Sequence, residues 1–258
     1  MSLTEKATRV GLARALSKLG YCSRSQATDL IRAGRVKLNG TVRRDPETPM
    51  HLGRDRIEVD RHSVREEAKR YLLLNKPRGV VTTASDEKGR DTVYSLVGEE
   101  LPWLAPVGRL DKASEGLLLL TNDSQWAARI SDPETHLEKT YHVQVGAIVE
   151  ETFLAEMRKG IRAANGEVLR VKRAALLRSG QRNSWLEIVL DEGKNRQIRR
   201  MLDASGMEVL RLVRVAIGPV LLGKLAKGEC RALSSDEKQA VDQAMKTSAS
   251  RARLGDTR

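Results

Sequence analysis

Aromatic side chains make up only 3% of this chain, and phenylalanine occurs once. Proteins that hold single-stranded nucleic acid by base stacking use aromatics as platforms, so any such partner must be held here mainly by charge and shape. Cysteine is nearly as scarce. Cys22 and Cys230 lie far apart and outside any CxxC pair, which leaves no disulfide framework and fits buried, reduced thiols in a cytoplasm. His51, His62, His136 and His142 have neither HExxH spacing nor cysteine neighbours, so no metal site is expected. No apolar stretch approaches the ~18 residues of a membrane span. No charged-then-apolar leader opens the chain either, so neither spanning nor secretion is expected.

Positive charge, by contrast, is abundant. Forty-six Lys and Arg oppose 34 Asp and Glu, a formal net charge of +12 over 258 residues. Such a surplus calls for an anionic partner; nucleic acid is the commonest, and an acidic membrane surface competes with it. The length suffices for one good core, or for a core with a small satellite domain.

Residues 1–8 read as a frayed polar start. Leu12, Leu16 and Leu19 then recur at helical spacing, and Gly20 closes that element. Ser23-x-x-Gln26 is a capping-box signature opening a second helix, whose apolar face is Ala27, Leu30 and Ile31 and whose end is Gly34. Val36 and Leu38 alternate with Arg35 and Lys37 ahead of Asn39-Gly40, a strong hairpin signal, and residues 56–59 supply a further strand. Residues 9–60 thus form a small module rich in exposed bases. Residues 61–70 are polar and aperiodic and read as a flexible linker.

A larger domain is expected over 71–245. Residues 71–74, 139–145 and 185–190 read as strands, with helical patterns near 124–131, 150–159 and 195–204. Strands mixed with helices without a regular βαβ beat point to an α+β fold on a mixed or antiparallel sheet. Ser234-x-x-Glu237 caps a final helix, and residues 246–258 read as a disordered basic tail.

The most informative stretch is Val107–Asp123. It sets Asp111 in a Gly-Arg-Leu-Asp turn directly before Leu117–Leu120, an apolar run that reads as a strand buried on both faces. A carboxylate at the mouth of a rigid, dry element, with Arg109 two residues away, suits a nucleophile or general base. Taken alone, the same turn serves a purely structural role as readily. Further on, residues 193–202 read as a helix with Arg196, Arg199 and Arg200 on one face and Ile198, Met201 and Leu202 on the other. Basic residues at a helix start oppose the dipole and are favoured there by a nearby anion. A solvated basic face is the alternative.

The run GRLDKASEGLLLLTND resembles the catalytic loop of the RsuA/RluB-type pseudouridine synthases, and GKNRQIRRM, Lys139-Thr140-Tyr141 and Asn75-Lys76-Pro77 resemble three further motifs of that family, in family order. Residues 20–40 resemble the αL RNA-binding domain, the one named after a ribosomal small-subunit protein. The opening helix departs from the usual R-L-D-K start, with Val10-Gly11-Leu12-Ala13-Arg14 in its place.

The resemblance implies a pseudouridine synthase fold and the cofactor-free isomerisation of uridine in ribosomal RNA, with large-subunit RNA favoured. It implies Asp111 as the catalytic carboxylate, Arg199 as its partner and Tyr141 as the residue stacked on the target base. RNA contacts are expected from Arg14, Ser23, Arg24, Arg35, Lys37, Lys76, Arg109, Lys194, Arg196 and Arg200. The reaction breaks the N-glycosidic bond, turns the base and rejoins it through carbon 5. The carboxylate either attacks the anomeric carbon or removes a sugar proton to give a glycal. Both routes need an ionised Asp, which an arginine favours. Extracting the base from its stack costs a few kcal/mol, roughly, which a flat partner offsets. No cofactor, metal or membrane contact is expected, and the enzyme is expected to be a cytoplasmic monomer. The alternative from another class is a catalytically silent RNA-binding or ribosome-assembly factor on the same scaffold.

Overall fold

Residue 23 shows how closely the N-terminal module follows its sequence. The Ser23 hydroxyl accepts from the Gln26 backbone amide, and the Gln26 side chain accepts from the Ser23 amide, so both arms of the capping box are present. The computed structural model describes residues 9–83, 89–98 and 103–255. The polar start at 1–8 and the end of the tail at 256–258 lie outside the described residues. Two compact units emerge, one of residues 1–71, 98–105 and 121–125, the other of 72–97, 106–120 and 126–258.

The first unit contains β1 (Arg9–Gly11), α1 (Leu12–Lys18), α2 (Arg24–Arg32), β2 (Val36–Leu38), β3 (Thr41–Arg43), β4 (Pro49–His51), β5 (Ile57–Val59) and β6 (His62–Ser63). Strands β3-β2-β5-β6 form an antiparallel sheet, and β1 pairs with β4. Asn39 and Gly40 both take positive φ, 52° and 81°, as a two-residue turn between twisted strands demands. Leu12, Leu16, Ala27, Ile31, Val36 and Ile57 are almost fully buried in one small core.

Residues 61–70 differ from the expected flexible linker. Two of them form β6, and backbone polar groups further on are tied down. The Glu67 amide donates to Leu19 O (3.1 Å), the Arg70 amide to Asn122 Oδ1 (2.8 Å), and Asn122 Nδ2 to Ala68 O (2.9 Å). Composition alone hides this, because a polar strap and a polar tether differ only in whether distant residues satisfy their backbone.

The second unit is built on a nine-stranded mixed sheet. Its elements are β7 (Tyr71–Lys76), β8 (Ala105–Pro106), β9 (Glu115–Thr121), α3 (Ser124–Ser131), β10 (Lys139–Val145), α4 (Glu151–Lys159), β11 (Ile161–Arg162), β12 (Val168–Leu169), β13 (Arg173–Ser179), β14 (Ser184–Leu190), α5 (Gln197–Ala204), β15 (Val209–Ile217), β16 (Val220–Leu221), β17 (Cys230–Ala232) and α6 (Ser235–Gly255). The main path runs β13-β14-β10-β15-β9-β7-β17, with β16 and β8 added at β15 and β9. Strand β15 runs antiparallel to β10 and parallel to β9, while β14 runs antiparallel to both its neighbours, β13 and β10. All seven residues of β9 are buried, as a strand covered on both faces requires. Helices α4 and α5 pack Leu154, Met157, Ile198, Met201 and Leu202 against Val143, Val145, Leu186, Ile188 and Leu212 of the sheet.

The C-terminal region departs from expectation as well. Ser234 and Glu237 form the expected reciprocal cap, but α6 continues to Gly255 where a disordered tail was expected from 246. Lys246, Ala249, Arg251, Ala252, Arg253 and Leu254 are good helix formers, a signal that the interspersed Ser and Thr obscured. Of the two cysteines, Cys22 is buried, its thiol pushed up to about 11 by burial, whereas Cys230 is only half-buried. Among the described residues no helix is long and apolar enough to cross a membrane.

Candidate active site

The loop before β9 is clamped from several sides. Gly108 turns it with φ of 70°, and the Ser114 amide closes a turn on Asp111 O at 2.9 Å. Thr82 Oγ1 donates to Leu110 O (2.8 Å), and the Gly79 amide donates to Lys112 O (2.8 Å). Beneath the loop, Lys76 Nζ donates to Ser114 O (2.8 Å) and Pro77 O (3.0 Å). Lys76 is 0% exposed, and burial pushes its ammonium down to about 8, with Asp111 and Glu115 opposing that shift. It therefore holds backbone and does not contact RNA, contrary to the expectation for this residue. A charge in an N-K-P stretch is legible in sequence; that the charge points inward is not.

Asp111 faces a cleft of about 420 Å³, within the range that accepts a nucleotide-sized ligand. Its carboxylate is one-third exposed. Oδ2 lies 3.6 Å from Arg196 Nη1 and 3.9 Å from Arg199 Nε, so two guanidiniums share it at ion-pair distance without a hydrogen bond. Arg199 is the more enclosed of the two. Its Nη2 donates to Ala113 O at 3.0 Å and approaches Ser114 Oγ at 3.4 Å, while its buried Nε has no hydrogen-bond partner among the described residues. Burial, then Arg196, push the Arg199 guanidinium down, and Asp111 opposes them. The expected close pairing of Arg199 with Asp111 is thus replaced by a shared one, with Arg196 the nearer cation.

The basic helix also starts later than expected. Helix α5 begins at Gln197, and Arg196 is its N-cap residue in the left-handed region, φ 47°. Arg196 therefore leaves the helical face and reaches into the cleft. Arg200 is engaged within the protein, where Nη2 donates to Glu167 Oε2 and Asn165 Oδ1, both at 2.7 Å. Lys194 lines the cleft between Glu167 and Glu192, at 3.4 and 3.3 Å. Arg109 is exposed on the cleft wall, and Tyr141 lines it from β10.

Two cationic residues of the cleft carry no assignment from sequence, Lys139 and Arg214. Lys139 is partly buried, and burial followed by the charge of Arg214 pushes it down to about 8. A cation within the apolar run Leu212–Ile217 of β15 was the available signal for Arg214. In the first unit, Arg14 and Arg24 are exposed and Lys37 is half-buried, whereas Arg35 is paired with Asp60 and the Ser23 hydroxyl is committed to its helix cap. Among the described residues no group of three or more His, Cys, Asp and Glu side chains is placed to hold a metal ion.

A family profile described as RNA pseudouridylate synthase matches residues 70–204, a span that includes Asp111, Tyr141 and Arg199. A profile for the S4 domain matches residues 10–55. An RNA pseudouridine synthase of Aquifex aeolicus is 40% identical over 223 residues, covering 86% of this chain and 89% of the relative. The ribosomal large subunit pseudouridine synthase B of Bacillus subtilis is 37% identical over 227 residues, covering 88% and 93%. A crystal structure of a pseudouridylate synthase superposes with a TM-score of 0.64 at 33% identity, covering 90% of this chain and 99% of its own. The chain belongs to the RNA pseudouridylate synthase family, enzymes that isomerise uridine in RNA, and carries an S4 RNA-binding domain at its N-terminal end.

Proposed function

We propose that this enzyme converts a uridine of large-subunit ribosomal RNA to pseudouridine, with Asp111 as the catalytic carboxylate. The observation that carries the reading is the placement of Asp111 in the cleft between Arg196 and Arg199. Two cations at under 4 Å flank the carboxylate that either route uses, attack on C1′ or removal of a sugar proton. Tyr141 lines the same cleft and offers the flat partner that an unstacked uracil needs. Arg199 acts both on the carboxylate and on the turn that carries it, through Ala113 O and Ser114 Oγ.

Cleft-rim cations, Arg109, Lys194 and Arg196, meet the phosphates flanking the extruded nucleotide. The module at 9–60 adds the side chains of Arg14, Arg24 and Lys37, which face solvent in whole or in part and can reach an RNA phosphate. The assignment to large-subunit RNA rests on similarity to the Bacillus subtilis enzyme of that description. Carbodiimide-based mapping of ribosomal RNA from cells with and without the protein tests it. One stop in large-subunit RNA that vanishes with the protein is expected. A vanishing stop in small-subunit RNA would move the target, and unchanged maps of both would remove ribosomal RNA as the substrate.

A further inference from the structure

Arg214 is 5% exposed, and yet it lines the cleft that holds Asp111. Among the described residues its guanidinium makes one hydrogen bond, Nε to Leu117 O at 2.7 Å, and Nη2 is buried with no partner. A buried guanidinium that leaves donors unused is costly, and its persistence points to an acceptor that arrives with a ligand. Lys139 adds a second cation: it is partly buried, lines the same cleft within reach of the charge of Arg214 and, among the described residues, makes neither a hydrogen bond nor an ion pair.

The sheet register says which part of the substrate would supply that acceptor. Tyr141 and Arg214 are direct partners on antiparallel β10 and β15, and directly paired residues project from the same face of a sheet. A uracil stacked on the Tyr141 ring therefore presents an edge towards Arg214. Apolar side chains, Leu190, Ile198, Leu212 and Ile217, line the same cleft. A flat, neutral base fits such surroundings, whereas the flanking phosphates are matched by the exposed cations of the rim.

We infer that Arg214, with Lys139 beside it, holds a carbonyl oxygen of the target uracil. The inference rests on the assignment of this cleft as the site of isomerisation. When the N1–C1′ bond breaks, its electron pair stays with the ring, and the detached base is an anion delocalised onto O2 and O4. C5 then forms the new bond to C1′, releasing the Asp111 carboxylate from C1′ on the attack route or with return of the sugar proton on the glycal route; the C5 proton leaves to solvent and N1 takes up a proton from solvent. A cation at a carbonyl edge binds that anion more tightly than neutral uracil, so Arg214 acts on the chemical step more than on RNA affinity.

Single-turnover rates on transcripts of the target helix carrying uridine, 2-thiouridine or 4-thiouridine at the target position test this for wild type, Arg214→Gln and Arg214→Lys. Sulfur accepts hydrogen bonds weakly. For wild type, one of the two thio substitutions is expected to slow the reaction by about ten-fold or more relative to the other, and Arg214→Gln is expected to erase most of that difference while RNA affinity stays within a few-fold. Arg214→Lys, which keeps the charge, should retain part of it. The same thio sensitivity in wild type and both variants overturns the inference. So does a wild type indifferent to both sulfurs, a result that needs no variant to fold. Loss of conversion of the plain uridine transcript in Asp111→Asn separately tests the assignment of the cleft.

Discussion

Two arginines divide the work around Asp111 unequally. Arg196 is the nearer cation but half exposed, whereas the Arg199 side chain is 14% exposed and bonded to the turn beneath the carboxylate. Loss of Arg199 therefore removes a charge and loosens Asp111 together. Arg199→Met is expected to lower kcat by about 100-fold or more with little change in RNA affinity. Arg196→Ala should weaken RNA binding in comparable measure to its loss in rate, and transcript binding plus single-turnover kinetics separate the two. Lys76 gives a second test at this scale. Its ammonium titrates near 8 in the fold against an ordinary 10.5, so the unfolded chain binds the extra proton between those values. Stability drawn from Lys76 therefore rises with pH across that window. The urea midpoint of wild type relative to Lys76→Met should accordingly climb between pH 8 and 10.5. A constant difference would show that Lys76 keeps its ordinary value.

At the scale of elements, the junction of β9 with β15 decides whether the site forms. The strands pair in parallel with Gly116 opposite Arg214. A Cβ on Gly116 would stand 2.2 Å from Arg214 O and 2.8 Å from its N, at a φ of +102° that side chains avoid. Gly116→Ala forces the strands apart at the residue after Glu115 and should cost roughly 3 kcal/mol or more, read in denaturant unfolding. A loss below roughly 1 kcal/mol would mean that the strands separate freely there. Much of this layer was legible in the sequence. The capping boxes at Ser23 and Ser234, the Asn39-Gly40 turn and the apolar run before Thr121 are local signals, and each is read from a few adjacent residues. What stayed hidden depends on distant partners. Lys76 turns inward to Ser114, Arg200 to Glu167, and the 61–70 strap to Leu19 and Asn122. Arg196 left the helical face because the chain enters α5 through a left-handed residue, which a helical wheel does not register. Asp111, Tyr141 and Arg199 stand in family motifs, while Arg214, which no motif singled out, needed the structure.

For the whole molecule the net charge of +12 is the governing quantity, since it must find an anionic counterpart. Some of the 46 Lys and Arg are already matched internally, at Arg35 with Asp60 and Arg200 with Glu167, so the count of cations overstates the RNA footprint, whereas the net of +12 already allows for such pairs. Exposed Arg14 and Arg24 with Lys37 are the S4-domain cations expected to meet phosphate. Replacing the three with Gln should lower the slope of log K against log salt by up to about 0.7–0.9 for each phosphate no longer neutralised, with kcat at saturating RNA little changed. An unchanged slope would place the RNA grip elsewhere on the surface. The proposed chemistry depends on Asp111 above all, and Asp111→Asn tests it most directly. Asparagine keeps the shape but can neither attack C1′ nor remove a sugar proton, and removing one carboxylate adds little to phosphate binding. Pseudouridine formation on a transcript of the target helix should disappear while RNA affinity stays within a few-fold of wild type. Turnover near the wild-type rate by this variant would contradict the central claim.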